Sequence, residues 1–191
     1  MRISIIGGPC SGKTTTAAMA FATLKETGIN CEFVVEQARV YIAKKRYEIG
    51  PENKLVLEDE DQLKIMQQQI QMEDMYDAVC DKNTIVICDS SPFNSLLYMS
   101  PDVRETALAT KLVEKAVFNA DLVFYAPLVE EFGLVDLNRV HDREQSLAID
   151  SEIPKVLQQY APSVWKTLIP LQGHPQARLS KVTSEIMLRR Y

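Results

Sequence analysis

Strand-like and helix-like segments alternating along the whole chain predict a single α/β domain built on a mainly parallel central sheet. Three observations carry that expectation. An apolar run, Ile3 to Ile6, meets Gly7 and Gly8 and then a helical segment. The continuous run Thr84-Ile85-Val86-Ile87-Cys88-Asp89 has the pattern of a strand covered on both faces by helices. No linker, repeat or low-complexity tract divides the 191 residues, so one domain is expected over 1–191.

The elements follow in order. After the first strand, a helix rich in Ala, Thr and Met runs from Lys13 to Thr27, with Gly28 where a C-cap glycine belongs. Cys31-Glu32-Phe33-Val34-Val35-Glu36 predicts a second strand that ends on Glu36. Gln37 to Tyr47 reads as a helix broken by Gly50-Pro51. The acidic group Glu58-Asp59-Glu60-Asp61 opens a long helix to about Cys80, because carboxylates in a first turn meet the positive end of the helix dipole. Leu63, Met66 and Ile70 form its inner face. The run ending at Asp89 is the third strand, and a helix is expected over Val103 to Asn119. Asp121 to Tyr125 and Thr167 to Leu171 supply strands four and five, and a last helix spans about His174 to Arg189.

Composition narrows the chemistry. Against 26 Asp and Glu stand 21 Lys and Arg, a net charge of −5, which lacks the broad positive field of a non-specific polyphosphate binder. No apolar run reaches the roughly 20 residues of a membrane span, and the apolar start is too short for a signal peptide, so a cytoplasmic address is expected. Cys10, Cys31, Cys80 and Cys88 show neither disulfide nor zinc spacing and are expected as thiols.

Gly7-Gly8-Pro9-Cys10-Ser11-Gly12-Lys13-Thr14 matches G-x-x-x-x-G-K-[ST] and lies between a predicted strand and a predicted helix. In such a loop successive amide N–H groups turn inward around a phosphate, and the helix N-terminus adds positive partial charge. The nucleotide-binding residues are thus Gly7, Gly8, Pro9, Cys10, Ser11, Gly12, Lys13, Thr14 and Thr15. Lys13 would meet the β- and γ-phosphates of ATP, and the Thr14 hydroxyl would be one ligand of Mg²⁺.

Two carboxylates are predicted at strand ends beside this loop, where ligands of open parallel sheets bind. Asp89 is assigned to the metal, and Glu36 to the hydroxyl of a phosphoryl acceptor. Arg139 and Arg143 stand four residues apart after the fourth strand, in a lid expected over about 127–146, where guanidinium groups would stabilise charge on the transferred phosphoryl. His141 and His174 read as solvated. Phe93 and Tyr98 read chiefly as core aromatics, with stacking on an acceptor ring the alternative.

These features together resemble the small P-loop kinases typified by the ribosylnicotinamide kinase domain of bacterial NAD-biosynthesis regulators and their phage-encoded relatives. The resemblance rests on the glycine-rich loop, on Val35-Glu36-Gln37-Ala38-Arg39-Val40-Tyr41, on a glutamine-bearing helix, on Ile87-Cys88-Asp89-Ser90-Ser91 and on the arginine-bearing lid. It implies a doubly wound P-loop NTPase fold with five strands in the order 2-3-1-4-5, Mg²⁺ with ATP as donor, and an acceptor near Glu36 and Arg39. Those kinases usually carry a second aspartate two positions after the first, where this chain has Ser91. Nucleoside and nucleotide kinases in general are also similar, and their base-reading glutamine falls among Gln67, Gln68, Gln69 and Gln71, with spacing favouring Gln69.

The sequence thus predicts a Mg²⁺- and ATP-dependent kinase of a nucleoside, nucleotide or related small molecule. One alternative is a kinase of hydroxymethylated pyrimidines within phage DNA, to which Lys44-Lys45-Arg46 and Arg189-Arg190 would offer a basic patch. The other is a nucleotide-switched regulatory ATPase. A GTPase is disfavoured, because Asn53-Lys54-Leu55-Val56 lacks the final aspartate of guanine recognition.

Overall fold

The structure is a computed structural model that describes residues 1–50, 52–106, 111–112, 120–129 and 142–190. The strands are β1 (Arg2–Ile6), β2 (Cys31–Val34), β3 (Ile85–Cys88), β4 (Leu122–Tyr125) and β5 (Ile169–Pro170). They form one sheet in the order β2-β3-β1-β4-β5 with every pairing parallel, as the resemblance implied. The helices are α1 (Lys13–Glu26), α2 (Gln37–Ile49), α3 (Asp59–Val79), α4 (Pro101–Arg104), α5 (Arg143–Tyr160), α6 (Pro162–Thr167) and α7 (Pro175–Arg190), with a 3₁₀ helix over Pro92–Tyr98.

All of β1 and β3 is buried, as their unbroken apolar runs require when helices cover both faces. On one face Ala17, Ala20 and Leu24 of α1 meet Leu179, Val182 and Ile186 of α7 over Ile3, Ile5, Ile87 and Phe124. On the other, Met66 and Ile70 of α3, Phe93 and Leu96 of the 3₁₀ helix, and Ile153, Val156 and Leu157 of α5 close over Ile6. Full burial of each Leu, Ile, Val, Met or Phe among them contributes about 1.5–3 kcal/mol, and each Ala less. Phe93 is a core aromatic, 2% exposed.

Three boundaries differ from the sequence expectation. β2 stops at Val34, and Glu36 lies beyond it as the N-cap of α2. β5 keeps only two residues, because Pro162–Thr167 is helical up to its doorstep. The helix expected over Val103 to Asn119 begins at Pro101 and its first piece ends at Arg104, whose side chain turns back to donate to the carbonyls of Met99 (2.9 Å) and Leu97 (3.3 Å). Residues 107–110 and 113–119 of that expectation lie outside the described residues, as do 130–141 of the lid.

α2 buries little of itself, and polar contacts fasten it to α3. The Asp61 carboxylate accepts from Tyr41 Oη (2.7 Å), from Lys45 Nζ and from the Glu58 backbone N–H (2.9 Å), the last closing a capping box. Burial acts to raise the Asp61 pKa, but these donors outweigh it and bring the value down to about 2.

Replacing Asp61 with Ala is expected to cost roughly 1–3 kcal/mol at pH 7, read by denaturant unfolding. Its folded-state pKa is depressed, so this contribution is full above the ordinary aspartate value of 3.8 and disappears as pH falls towards 2. Wild type and variant should converge there.

Candidate active site

The glycine-rich loop leaves β1 and runs into α1. A Cβ at Gly7 would lie 2.3 Å from the Ala126 carbonyl oxygen, so no side chain fits where the loop passes β4. Gly12 holds the N-cap of α1 at φ +81°, the left-handed region that glycine enters without cost. Lys13 is buried, and its Nζ donates to the Gly8 carbonyl (2.8 Å), which folds the side chain back over the loop.

Three distant residues brace the loop from outside, and no local pattern in the sequence marks them. Asp150 of α5 accepts from the Gly8 N–H (3.0 Å), from Leu128 N–H (3.1 Å) and from Tyr125 Oη (3.0 Å). Asn94 donates to the Gly7 carbonyl (3.2 Å). Arg178 of α7, fully buried, donates to the carbonyls of Ser11 (2.6 Å), Pro127 (2.8 Å) and Gly173 (3.0 Å), tying the ends of β1, β4 and β5 together.

The loop opens onto a cavity of about 420 Å³ between α2, α3 and the 3₁₀ helix. Pro9, Cys10, Ser11, Gly12, Lys13, Thr14 and Thr15 line one end of it, with Glu36, Arg39 and Gln69 beside them. Asp89 follows β3 directly, its N–H continuing the ladder to the Val34 carbonyl (2.9 Å). Its carboxyl is 2% exposed and receives a hydrogen bond from Thr14, while Oδ1 has no partner. Burial, followed by the negative charge of Glu36, pushes the Asp89 pKa up to about 7 against the pull of Thr14, Lys13 and Arg39. Glu36 makes no side-chain cap on α2, and Arg39 donates to Thr14 Oγ1 (3.3 Å).

Of the competing glutamines, Gln67, Gln68 and Gln71 are exposed and Gln69 is buried. Gln69 Oε1 accepts from the Gln37 N–H (2.9 Å), and its Nε2 donates to Glu73 (2.9 Å), which in turn pairs with Arg2 (3.3 Å). Tyr98 also lines the cavity.

Arg139 and His141 lie outside the described residues. Arg143 is exposed as the first residue of α5, after an Asp142 whose extended backbone (ψ −177°) and side-chain bond to the Gln145 N–H (2.9 Å) cap the helix. One turn further, buried Ser146 places its Oγ 3.9 Å from Cys10 Sγ, so the start of α5 rests on the loop. The basic run divides. Lys44 is exposed, Lys45 pairs with Asp61, and Arg46 lines the cavity.

The residues at the loop fit a divalent cation. Thr14 and Asp89 are neighbours, and the orphaned Asp89 Oδ1 is a buried anionic atom that a cation would satisfy. Among the described residues no group of three or more His, Cys, Asp or Glu could hold a metal. The four cysteines are free. No helix among the described residues is long and apolar enough to cross a membrane.

The family model described as AAA domain matches residues 2–169. No curated protein matches the sequence significantly. Among solved structures, a NadR protein in complex with NR aligns with a TM-score of 0.63 at 16% identity, over 91% of this chain and 46% of that one. A NadR protein in complex with NAD and AMP-PNP aligns at 0.63 and 15% identity, over 90% of this chain and 44% of that one. A thymidylate kinase from Candida albicans aligns at 0.65 and 13% identity, over 99% of this chain and 92% of that one. The chain thus spans less than half of either NadR chain and has the fold of P-loop kinases.

Asp150→Ala should destabilise the domain by roughly 1.5–3 kcal/mol, because it strips a charged acceptor from two backbone amides and a phenol. Chemical denaturation measures the loss.

Proposed function

The chain belongs to the AAA domain family, and on that premise we propose that it is a Mg²⁺- and ATP-dependent kinase of a nucleoside, a nucleotide or a related small molecule. The observation that carries this reading is the shared cavity. A phosphate-binding loop and a second polar recess, lined by Glu36, Arg39, Gln69 and Tyr98, open into the same 420 Å³ space. A nucleotide switch needs the first of these and has no use for the second.

In this reading ATP lies along the loop with its γ-phosphate at Lys13, and Thr14 and Asp89 hold Mg²⁺, which when bound offsets the negative charge of the phosphates. The acceptor sits in the recess with its oxygen in line with the γ-phosphorus. A bond forms from that oxygen to phosphorus, the bond to the β,γ-bridging oxygen breaks, and ADP leaves. The acceptor's proton passes to Glu36 when the acceptor is a hydroxyl. Lys13, Arg39 and, from the lid, Arg139 and Arg143 meet the charge that spreads over the transferred phosphoryl. Gln69 braces the start of α2 and so fixes the height of Glu36 and Arg39.

The deciding experiment is transfer of labelled γ-phosphate from ATP to nucleosides, ribosylnicotinamide, nucleoside monophosphates, and DNA with and without hydroxymethylpyrimidines. Label on a small acceptor supports the proposal. Label retained on DNA moves the acceptor to a polymer, and label only in free phosphate favours the regulatory ATPase. Lys13→Ala should lower kcat by about 100-fold or more while the unfolding midpoint changes little. An active Lys13→Ala protein would sink the scheme.

A further inference from the structure

Two polar pairs face each other across the cavity, at different heights. α2 and α3 run antiparallel, since the Gln37 N–H reaches Gln69 near the middle of α3 while Tyr41 and Lys45 reach Asp61 at its start. The inner pair is Glu36 with Gln69. Arg46 on α2 and Gln62 on α3 form an outer pair, and both line the cavity. Gln62 is seven residues from Gln69, about two helical turns, and Arg46 is ten from Glu36, about three, so the outer pair stands on the order of 10–15 Å from the inner one.

Neither member of the outer pair has an internal purpose. Arg46 Nε is buried without a hydrogen bond, and among the described residues no carboxylate lies in ion-pair reach of this guanidinium. Gln62 is 6% exposed, and among the described residues its amide makes no hydrogen bond. Adjacent Lys45 is different, since Asp61 neutralises it. A half-buried guanidinium on a cavity wall with no acid beside it is open to an anion, and its planar fork of donors suits an oxyanion.

Building on the phosphoryl-transfer reading above, we propose that Arg46 and Gln62 hold an oxyanion at the far end of the acceptor, on the order of 10–15 Å from the oxygen that receives the phosphoryl group. The substrate class is a nucleoside-like small molecule with a carboxylate or phosphate on the end remote from its reacting hydroxyl.

The test is calorimetric binding to the full chain without ATP, using two probe pairs. Ribosylnicotinamide is compared with its isosteric carboxylate, nicotinic acid riboside, and uridine with uridine 3′-monophosphate. The expected result is about 10-fold or tighter binding of at least one anionic member over its partner. That preference should vanish in Arg46→Gln, return in part in Arg46→Lys and weaken in Gln62→Leu. Which pair shows it separates carboxylate from phosphate. Equal binding within both pairs, a preference untouched by Arg46→Gln, or no binding of any probe overturns the proposal. So does Arg46-dependent retention of single-stranded DNA without any preference among the small probes. Transfer of label from ATP is scored separately. An Arg46-dependent preference without transfer removes the kinase reading and keeps the subsite, whereas transfer without the preference does the reverse.

Discussion

The fold turns on a loop that cannot hold itself. Gly7 to Thr14 forgoes the ladder that a strand continuing from β1 would make, and its shape is imposed largely from outside. Asp150 from α5, Asn94 from the 3₁₀ helix and Arg178 from α7 each bond a backbone group of this loop. These three come from both faces of the sheet. The two halves of the core therefore converge on one turn, and Arg178 does so with its whole guanidinium buried among carbonyls.

A second constraint is charge. Glu36 and Asp89 confront each other beside the loop, and the buried Asp89 carboxyl is pushed up to about 7. Lys13 and Arg39 offset only part of that repulsion. The arrangement buries a carboxyl beside a second acid at a place where a cation would relieve both costs, which is common at sites shaped for a ligand.

Apolar packing seats α3 and the 3₁₀ helix, whereas the remaining wall of the cavity, α2, is placed by polar contacts. Arg2 reaches from β1 to Glu73 and Asp77 on α3, Glu73 accepts from Gln69, and Gln69 accepts from the start of α2. Burial pushes the Glu73 pKa up to about 7 against the pull of Gln69 and Arg2. Such a chain sets the height of α2 against the sheet, because hydrogen bonds have a direction that packing of aliphatic side chains lacks.

The amino-acid sequence by itself determined the fold class, since continuous aliphatic strands alternating with helices leave few ways to cover both faces of a sheet. It also determined the phosphate loop, a local motif whose chemistry needs only spacing and glycine. Asp89 was expected where it lies, directly after β3, whereas Glu36 was expected on β2 and stands beyond it as the N-cap of α2, and only the resemblance favoured Gln69 among its neighbours. Tertiary structure alone decided the rest. Asp150, Arg178 and Asn94 meet the loop from 142, 167 and 87 residues away. Arg46 looked like one member of an exposed basic run, and only the packing of α2 against α3 turned it into the cavity and gave Lys45 to Asp61. The end of β2 and the early stop of α4 were likewise set by caps and side-chain bonds that local propensity does not encode.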